Sequence, residues 1–202
     1  GSVKSVDKSK ALAMPGVVDV VVIPRFNNPY GSLGGVAVVA DNTWIEEEAL
    51  SKLEIEFEAG ENASYDTDAY KKQLVKNVEA PAKKEFEKGS VDKAFKEAKV
   101  RHKATYVGGH ISHSPLEPMA SLAWVQADQC EIWASTQDPA AIQRTLAAFL
   151  DRKPEDITVH VMMAGGAFGR KFKCDYVFEA AAISKATGVP IQLTWSREED
   201  TR

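Results

Sequence analysis

From position 129 to position 195 the sequence alternates between strand-like and helical segments, which constrains the fold more than any other feature. Asp138 before Pro139 is typical of a helix N-cap followed by proline at the first helical position. Gly188 and Pro190 end the second helix. This βαβαβ order predicts that the strands run parallel and are joined by right-handed crossovers. The predicted strands cover residues 129–135, 157–163 and 191–195, the first helix starts at 139, and the second covers 174–187.

The first sixty residues predict a mixed unit of strands and one helix with a structural role. Thr43 and Glu46 fit a capping box, in which Thr43 binds the N–H of Glu46 and Glu46 reaches back. Residues 61–103 are polar and rich in lysine and glutamate, and they predict a surface connector in which Ser90 caps a short helix. The predicted strands of the first unit are 17–23, 36–40 and 53–57 and its helix is 44–52, whereas the connector helices are 68–77 and 91–98.

Composition excludes several classes of protein. The 202 residues include 29 acidic and 25 basic side chains, so there is no basic surplus for binding nucleic acid. No apolar run approaches the roughly 20 residues that a membrane span needs. Two cysteines, Cys130 and Cys174, do not make a disulfide framework. We therefore expect a soluble globular protein, with a cytoplasmic or a periplasmic location left open.

A glycine-rich segment between a predicted strand and a predicted helix is the strongest local motif. Glycine lets backbone N–H groups approach a ligand closely, and a helix N-terminus favours anions. With positive charge from Arg170, Lys171 and Lys173, the segment suits a phosphate or pyrophosphate, although it also suits a tight turn without a ligand. It matches a dinucleotide-binding fingerprint only partly, because Ala164 stands where the first glycine belongs. We call this segment the glycine loop; its residues are Gly165, Gly166, Ala167, Phe168 and Gly169.

Metal-ligand and nucleophile motifs are weak in this sequence. His110, His113 and Glu117 could be metal ligands or ordinary polar loop residues. Nearby Pro115 and Pro118 disfavour the helix on which paired histidines usually bind zinc, and residues three apart on a strand face opposite sides. No Gly-x-Ser-x-Gly motif is present. We therefore assign no catalytic residue and no metal ligand.

Gln137 ends the segment Ser135-Thr136-Gln137 and directly precedes the Asp138 cap. A neutral amide at such a junction can donate a hydrogen bond to an oxo or phosphate ligand, or it can be an ordinary surface residue. If the strands before Gln137 and before the glycine loop run parallel, both junctions lie at the same edge of the sheet, where ligands of open α/β sheets bind. We then also expect two helix N-termini to point at that space.

These motifs together resemble a known family. Ser135-Thr136-Gln137, followed 28 residues later by the glycine loop, resembles the large subunit of the molybdenum hydroxylases, the xanthine dehydrogenase and aldehyde oxidase family. Residues 114–119, with the sequence Ser-Pro-Leu-Glu-Pro-Met, are most similar to the isoquinoline 1-oxidoreductase β-subunit branch. Residues 3–60, notably 11–17, resemble the end of the hammerhead domain that precedes the cofactor region in that family.

The resemblance implies an α+β fold in which a hammerhead-type α/β domain is followed by part of a molybdopterin-binding α/β domain. Residues 1–60 would be the C-terminal part of the hammerhead domain, 61–103 a connector and 104–202 the first part of the molybdopterin-binding domain. The implied cofactor is molybdopterin with molybdenum. Gln137 would bond the molybdenum oxo group, and Arg170 with the glycine loop would line the cofactor site. The implied partners are an iron–sulfur subunit and an aldehyde or N-heteroaromatic substrate, which is hydroxylated with oxygen from water.

Three departures from the family pattern refine this expectation. Ala167 replaces the third glycine of the family loop, and Phe172 stands where purine-oxidising members carry a glutamate. The catalytic glutamate of the family lies far toward the C-terminus, beyond the motifs found here. We therefore expect an excised middle piece of a longer enzyme that is inactive alone. The alternative from another class is a nucleotide-binding α/β module that uses the glycine loop.

Overall fold

The computed structural model describes residues 2–201 as a protein of mixed helix and sheet, in agreement with the predicted α+β class. Its contacts divide it into two units: the residues up to Gly60 together with those from Ser112 onward, and Glu61–Ile111. The hammerhead assignment and the three predicted segment boundaries stay predictions. No helix within residues 2–201 is long and apolar enough to cross a membrane.

The helices and strands follow the predicted order closely. In the smaller unit, Ser90 caps α4 as predicted, accepting a hydrogen bond from the N–H of Lys93 at 3.3 Å. In chain order the elements are β1 (Ser2–Asp7), α1 (Ser9–Leu12), β2 (Val17–Ile23), β3 (Gly35–Ala40), α2 (Thr43–Leu50), β4 (Glu54–Glu58), α3 (Thr67–Glu79), α4 (Val91–Glu97), β5 (Ala120–Val125), β6 (Cys130–Ala134), α5 (Pro139–Leu150), β7 (Ile157–Val161), α6 (Asp175–Thr187), β8 (Ile191–Thr194) and α7 (Arg197–Asp200).

The central sheet has the strand order β7-β6-β5-β8. β6 and β7 pair in parallel, from Cys130 opposite Ile157 to Ala134 opposite Val161. β5 pairs antiparallel with both β6 and β8, so β6, β7 and β8 all run in one direction. The predicted parallel direction is therefore right, but β8 does not pair with β7. A tight turn joins β5 to β6, and in it the Gln126 N–H donates to the Gln129 carbonyl at 2.9 Å. The other edge of β5 pairs with β8.

Helix α6 is buried by neighbours on two sides. Nine of its thirteen residues are buried, more than a helix lying on one sheet face would bury. The central sheet covers one side, and the β2–β3 hairpin contributes Val21, Ile23 and Ala37 to the same core. Phe26, which follows the hairpin strand β2, stacks on Phe178 of α6 with ring centroids 5.0 Å apart. The β2–β3 hairpin thus shares the core of the sheet that carries the candidate site, whereas Ala11, Val20, Val38 and Ala49 form a separate cluster.

A partly buried carboxylate on α6 contacts two other segments. Glu179 accepts hydrogen bonds from the Ser32 hydroxyl at 2.7 Å and from the Trp195 indole N–H at 2.8 Å. Burial raises the pKa of Glu179 to about 7, because the charged form loses its hydration. The indole hydrogen bond holds Trp195, which follows β8, against the helix, and the Ser32 hydrogen bond joins the segment before β3 to the same side chain.

Two sequence expectations for the N-terminal region are wrong. The N-cap of α2 is Asn42, whose side-chain oxygen accepts the N–H of Ile45 at 3.0 Å, and Thr43 is the first helical residue. The Glu46 N–H donates to the Asn42 carbonyl at 3.1 Å rather than to Thr43, so Thr43 and Glu46 do not form a capping box. The region also has a second helix, α1, and a strand, β1, which the sequence analysis missed; β1 pairs antiparallel with β4.

Replacement of Asn42 by alanine should lower the free energy of unfolding by about 1 kcal/mol, because the Ile45 N–H loses its acceptor. Thr43→Ala is the matched control and should not lower this free energy. Urea unfolding followed by circular dichroism measures both. A larger loss of unfolding free energy in Thr43→Ala than in Asn42→Ala would support Thr43 as the cap instead.

Candidate functional site

The candidate site lies at the sheet edge where β6 and β7 end. Because the two strands are parallel, their carboxyl ends meet at one edge, and the Met162 N–H extends the pairing to the Ala134 carbonyl at 3.0 Å. Beyond this point the Gln137 N–H donates to the Lys171 carbonyl at 3.1 Å. The Thr136 hydroxyl donates to the same carbonyl at 3.3 Å. The predicted proximity of the Gln137 segment and the glycine loop is therefore confirmed.

A third segment of the chain joins this edge through Glu117. The Glu117 N–H donates to the Gly165 carbonyl at 3.2 Å, and the Gly165 N–H donates to the Glu117 carboxylate at 2.6 Å. The Glu117 carboxylate thus anchors the start of the glycine loop. The only sequence signal for this role was its place in the Ser-Pro-Leu-Glu-Pro-Met stretch, where the residues alone suggested a metal ligand or a polar loop residue.

His110 and His113, two of the possible metal ligands in the sequence, have different neighbours. His110 is hydrogen-bonded to the Tyr65 hydroxyl at 2.6 Å, within the smaller unit. The His113 ring lies beside Gly169, where an added Cβ would be 3.7 Å from Nε2. Among residues 2–201 no group of three histidine, cysteine, aspartate or glutamate side chains could hold a metal ion.

Lys171 is completely buried beneath the glycine loop. Its ammonium group forms an ion pair with Glu117 and donates to the Ser135 hydroxyl at 2.9 Å. The Tyr176 hydroxyl donates to the Ser135 carbonyl at 2.8 Å, which fixes this segment on α6. Burial alone would raise the pKa of Glu117, but hydrogen bonds from Lys171 and Gly165 outweigh it and hold the pKa below its usual value. The carboxylate is therefore stabilised in its charged form.

Arg170 is also paired within the protein. Its guanidinium group makes two bonds to Asp175, at 3.0 and 3.3 Å, and approaches Asp200 at 3.5 Å. It also lies over the Trp195 ring, 5.1 Å from the centroid. Lys173 contacts Asp175 as well, at 3.2 Å. The positive charge that the sequence analysis attributed to this segment is thus balanced by carboxylates of the same chain. Direct binding of a cofactor by Arg170 stays a prediction.

The two helix N-termini near the edge are occupied by carboxylates. Asp138 caps α5 as predicted and accepts the Ala141 N–H at 2.9 Å. Asp175, in the first turn of α6, accepts the Tyr176 N–H at 3.0 Å. Each of these helix ends therefore has an aspartate in contact with an N–H group of its first turn, and the expectation that both ends point at a ligand stays a prediction.

The donors of the edge that are not bound within the described part of the chain belong mainly to the main chain of the glycine loop. Within residues 2–201, the N–H groups of residues 166–169 have no acceptor in the protein, and the exposed Gln137 side chain makes no hydrogen bond. Gly166 and Gly169 have φ angles of 99° and 95°, in the left-handed region that favours glycine. Four consecutive main-chain N–H groups near a neutral amide are a donor set suited to an anionic ligand.

The chain matches the protein family described as molybdopterin cofactor-binding domain, over residues 71–202. It belongs to this family. The match covers Gln137, the glycine loop and Arg170, and it confirms the predicted family and cofactor class. Of the two hypotheses from the sequence, it favours the molybdopterin site over the nucleotide-binding module.

Similar proteins agree with this assignment. The chain is 28% identical to the isoquinoline 1-oxidoreductase subunit beta of Brevundimonas diminuta, over 98% of this chain and 25% of that protein. It is 33% identical to aldehyde oxidase 2 of Macaca fascicularis, over 97% of this chain and 16% of that protein. The chain therefore spans a quarter or less of the length of these relatives.

Solved structures share the fold. Quinoline 2-oxidoreductase from Pseudomonas putida 86 aligns with a TM-score of 0.67 at 22% identity, over 98% of this chain and 30% of that one. The aldehyde oxidoreductase from Desulfovibrio gigas aligns with a TM-score of 0.67 at 19% identity, over 99% of this chain and 26% of that one.

Replacement of Gly165 by alanine should disturb the loop, because the new Cβ would lie 2.7 Å from the Cβ of Glu117. We expect a loss of about 1–3 kcal/mol in the free energy of unfolding, the usual cost of overpacking. Gly35→Ala is the control, because its Cβ would meet nothing within 4 Å. Equal effects in the two variants, measured by urea unfolding, would contradict the close contact between Gly165 and Glu117.

Proposed function

We propose that this chain forms part of the molybdopterin site of a molybdenum-dependent hydroxylase that oxidises aldehydes or N-heteroaromatic compounds with oxygen from water. The observation that carries the proposal is the run of four consecutive N–H groups at residues 166–169 without an acceptor among residues 2–201, near the exposed Gln137. Membership of the molybdopterin-binding family supports the identity of the ligand.

The proposed roles are binding and orientation of the cofactor. The N–H groups of Gly166, Ala167, Phe168 and Gly169 would bind it from one side, and the Gln137 amide would donate from the other. Gly165 supports the loop, since its own N–H is bound to Glu117. Arg170 would act from beneath the loop by tying it to α6 and α7. When bound, the cofactor supplies the two-electron oxidation chemistry.

The proposed substrate is a flat, largely apolar molecule. Exposed apolar side chains surround the loop: Phe168 is 75% exposed, Met163 96% and Leu116 90%. Phe172 packs against Tyr30, with ring centroids 5.7 Å apart, at the position where purine-oxidising members of the resembled family carry a glutamate. The similar proteins are named for aldehydes, isoquinoline and quinoline. An aldehyde or N-heteroaromatic ring therefore fits better than a purine.

The complete enzyme is proposed to contain more polypeptide and an iron–sulfur subunit that accepts electrons. The chain spans a quarter or less of its relatives, and one of them is named as a β subunit. The isolated chain should therefore hold little or no molybdenum and should not oxidise an aromatic aldehyde. Elemental analysis together with an activity assay tests this, and near-stoichiometric molybdenum with turnover would contradict it.

In the complete enzyme, Gln137→Ala should lower kcat for an aromatic aldehyde by about tenfold to a hundredfold. This is the rate effect expected when one hydrogen bond to a charged group is lost. The molybdenum content should stay unchanged, because the glycine loop still holds the cofactor. Gln192→Ala replaces an exposed glutamine of β8 and serves as the control. Unchanged turnover in Gln137→Ala would remove this residue from the site.

A further inference from the structure

A completely buried lysine at the end of a ligand-binding loop requires an explanation. Lysine is almost never fully buried unless it is paired, because its ammonium group loses several kcal/mol of hydration. Lys171 is 0% exposed, although it lies only two residues after the exposed part of the glycine loop. Its charge is therefore unavailable to any ligand, and its function must lie within the protein.

Lys171 joins the three segments that form the candidate site. Its ammonium group binds Glu117 and the Ser135 hydroxyl, and its carbonyl accepts the Gln137 N–H. Glu117 in turn accepts the Gly165 N–H at 2.6 Å. These contacts form a continuous series from Gly165, at the start of the glycine loop, through Glu117 and Lys171 to Gln137.

We propose that the Lys171–Glu117 ion pair is a clamp that fixes the spacing between Gln137 and the glycine loop before any cofactor binds. Lys171 and Glu117 are positioning residues, since they act through the backbone of Gly165 and Gln137. The clamp is a property of the chain itself; only its benefit to cofactor binding rests on the proposed function.

The second charged cluster near the loop does not position Gln137. Arg170 with Asp175 and Asp200 ties the loop to α6 and α7, and none of its contacts reaches the Gln137 segment. Only the carbonyl of Lys171 meets both Thr136 and Gln137 among the hydrogen bonds of residues 2–201. The position of that carbonyl depends on where the buried ammonium group is held.

Amide hydrogen exchange of the 202-residue chain, followed by NMR without cofactor, tests the clamp. Lys171→Met removes the ammonium group but keeps the carbonyl that accepts the Gln137 N–H. The Gln137 and Gly165 amides should exchange about tenfold faster or more, since a hydrogen-bonded charged contact is lost. The exchange of Ile132, which lies within β6, should rise much less. A uniform rise at all three amides, or no rise at Gln137, would overturn the proposal.

Arg152→Met is the matched control for the loss of a cation. Arg152 donates to the Gln126 and Ala127 carbonyls at the turn between β5 and β6, at the opposite end of these strands from Gln137. Its replacement should leave the Gln137 and Gly165 amides at wild-type rates. Faster exchange of these two amides in Arg152→Met would also count against a local clamp.

A double variant separates positioning from stability. Lys171→Met leaves a partly buried carboxylate without its cation, and adding Glu117→Gln removes that charge and should raise the melting temperature again. The Gln137 amide should nevertheless stay fast, because the ion pair is still absent. Restoration of slow Gln137 exchange in the double variant would show that the pair does not position it. All of these measurements omit the cofactor, so their failure is distinguishable from failure of the proposed function.

Discussion

Parallel pairing of β6 with β7 is the constraint on which the candidate site depends. Two strands that run in one direction release the chain at one edge, so the segment after β6 and the segment after β7 become neighbours, although Gln137 and Gly165 are 28 residues apart. Helix α5 makes the crossover between them and packs against β7. Antiparallel pairing of the same two strands would place the two segments at opposite ends, and the hydrogen bond between Gln137 and Lys171 could not form.

The electrostatics of the site follow from which charges the chain neutralises itself. Lys171 is balanced by Glu117, Arg170 by Asp175 and Asp200, and both helix N-termini carry an aspartate. Full cations at the surface would attract anions of any kind, whereas main-chain dipoles bind only a group that matches their arrangement. Within residues 2–201 the edge therefore keeps N–H groups and a neutral amide as donors without a protein acceptor. Selectivity is then a matter of loop shape, and loop shape depends on the buried ion pairs.

Local patterns predicted the strands, the Asp138 cap and the adjacency of Gln137 and the glycine loop, because each depends on residues near in sequence or on the parallel rule. The internal role of Lys171 could not be predicted in this way: its partners Glu117 and Ser135 lie 54 and 36 residues away, and a lysine beside glycines is typical of a phosphate site. The position of β8 was also beyond local patterns, because it depends on tertiary packing, in which α6 lies against both β5 and β8. At α2, Asn42 and Thr43 are both good caps, and only the extended backbone of Asn42 decides between them.

The glycine loop is held in a conformation that it would not adopt alone. Phe168 has a φ angle of 53°, a conformation that costs a residue with a side chain about 1–2 kcal/mol. Its ring is 75% exposed, so the packing of the side chain stabilises this conformation little. Glycines at 166 and 169 reduce the strain on either side, but they also leave the unfolded loop with more conformations to lose. The compensating contacts lie at the two ends of the strained stretch, where Glu117 binds Gly165 and the buried Lys171 binds Glu117. The strain is local and the restraint comes from distant segments, so the loop keeps this conformation only while the segments carrying Glu117 and Ser135 are folded.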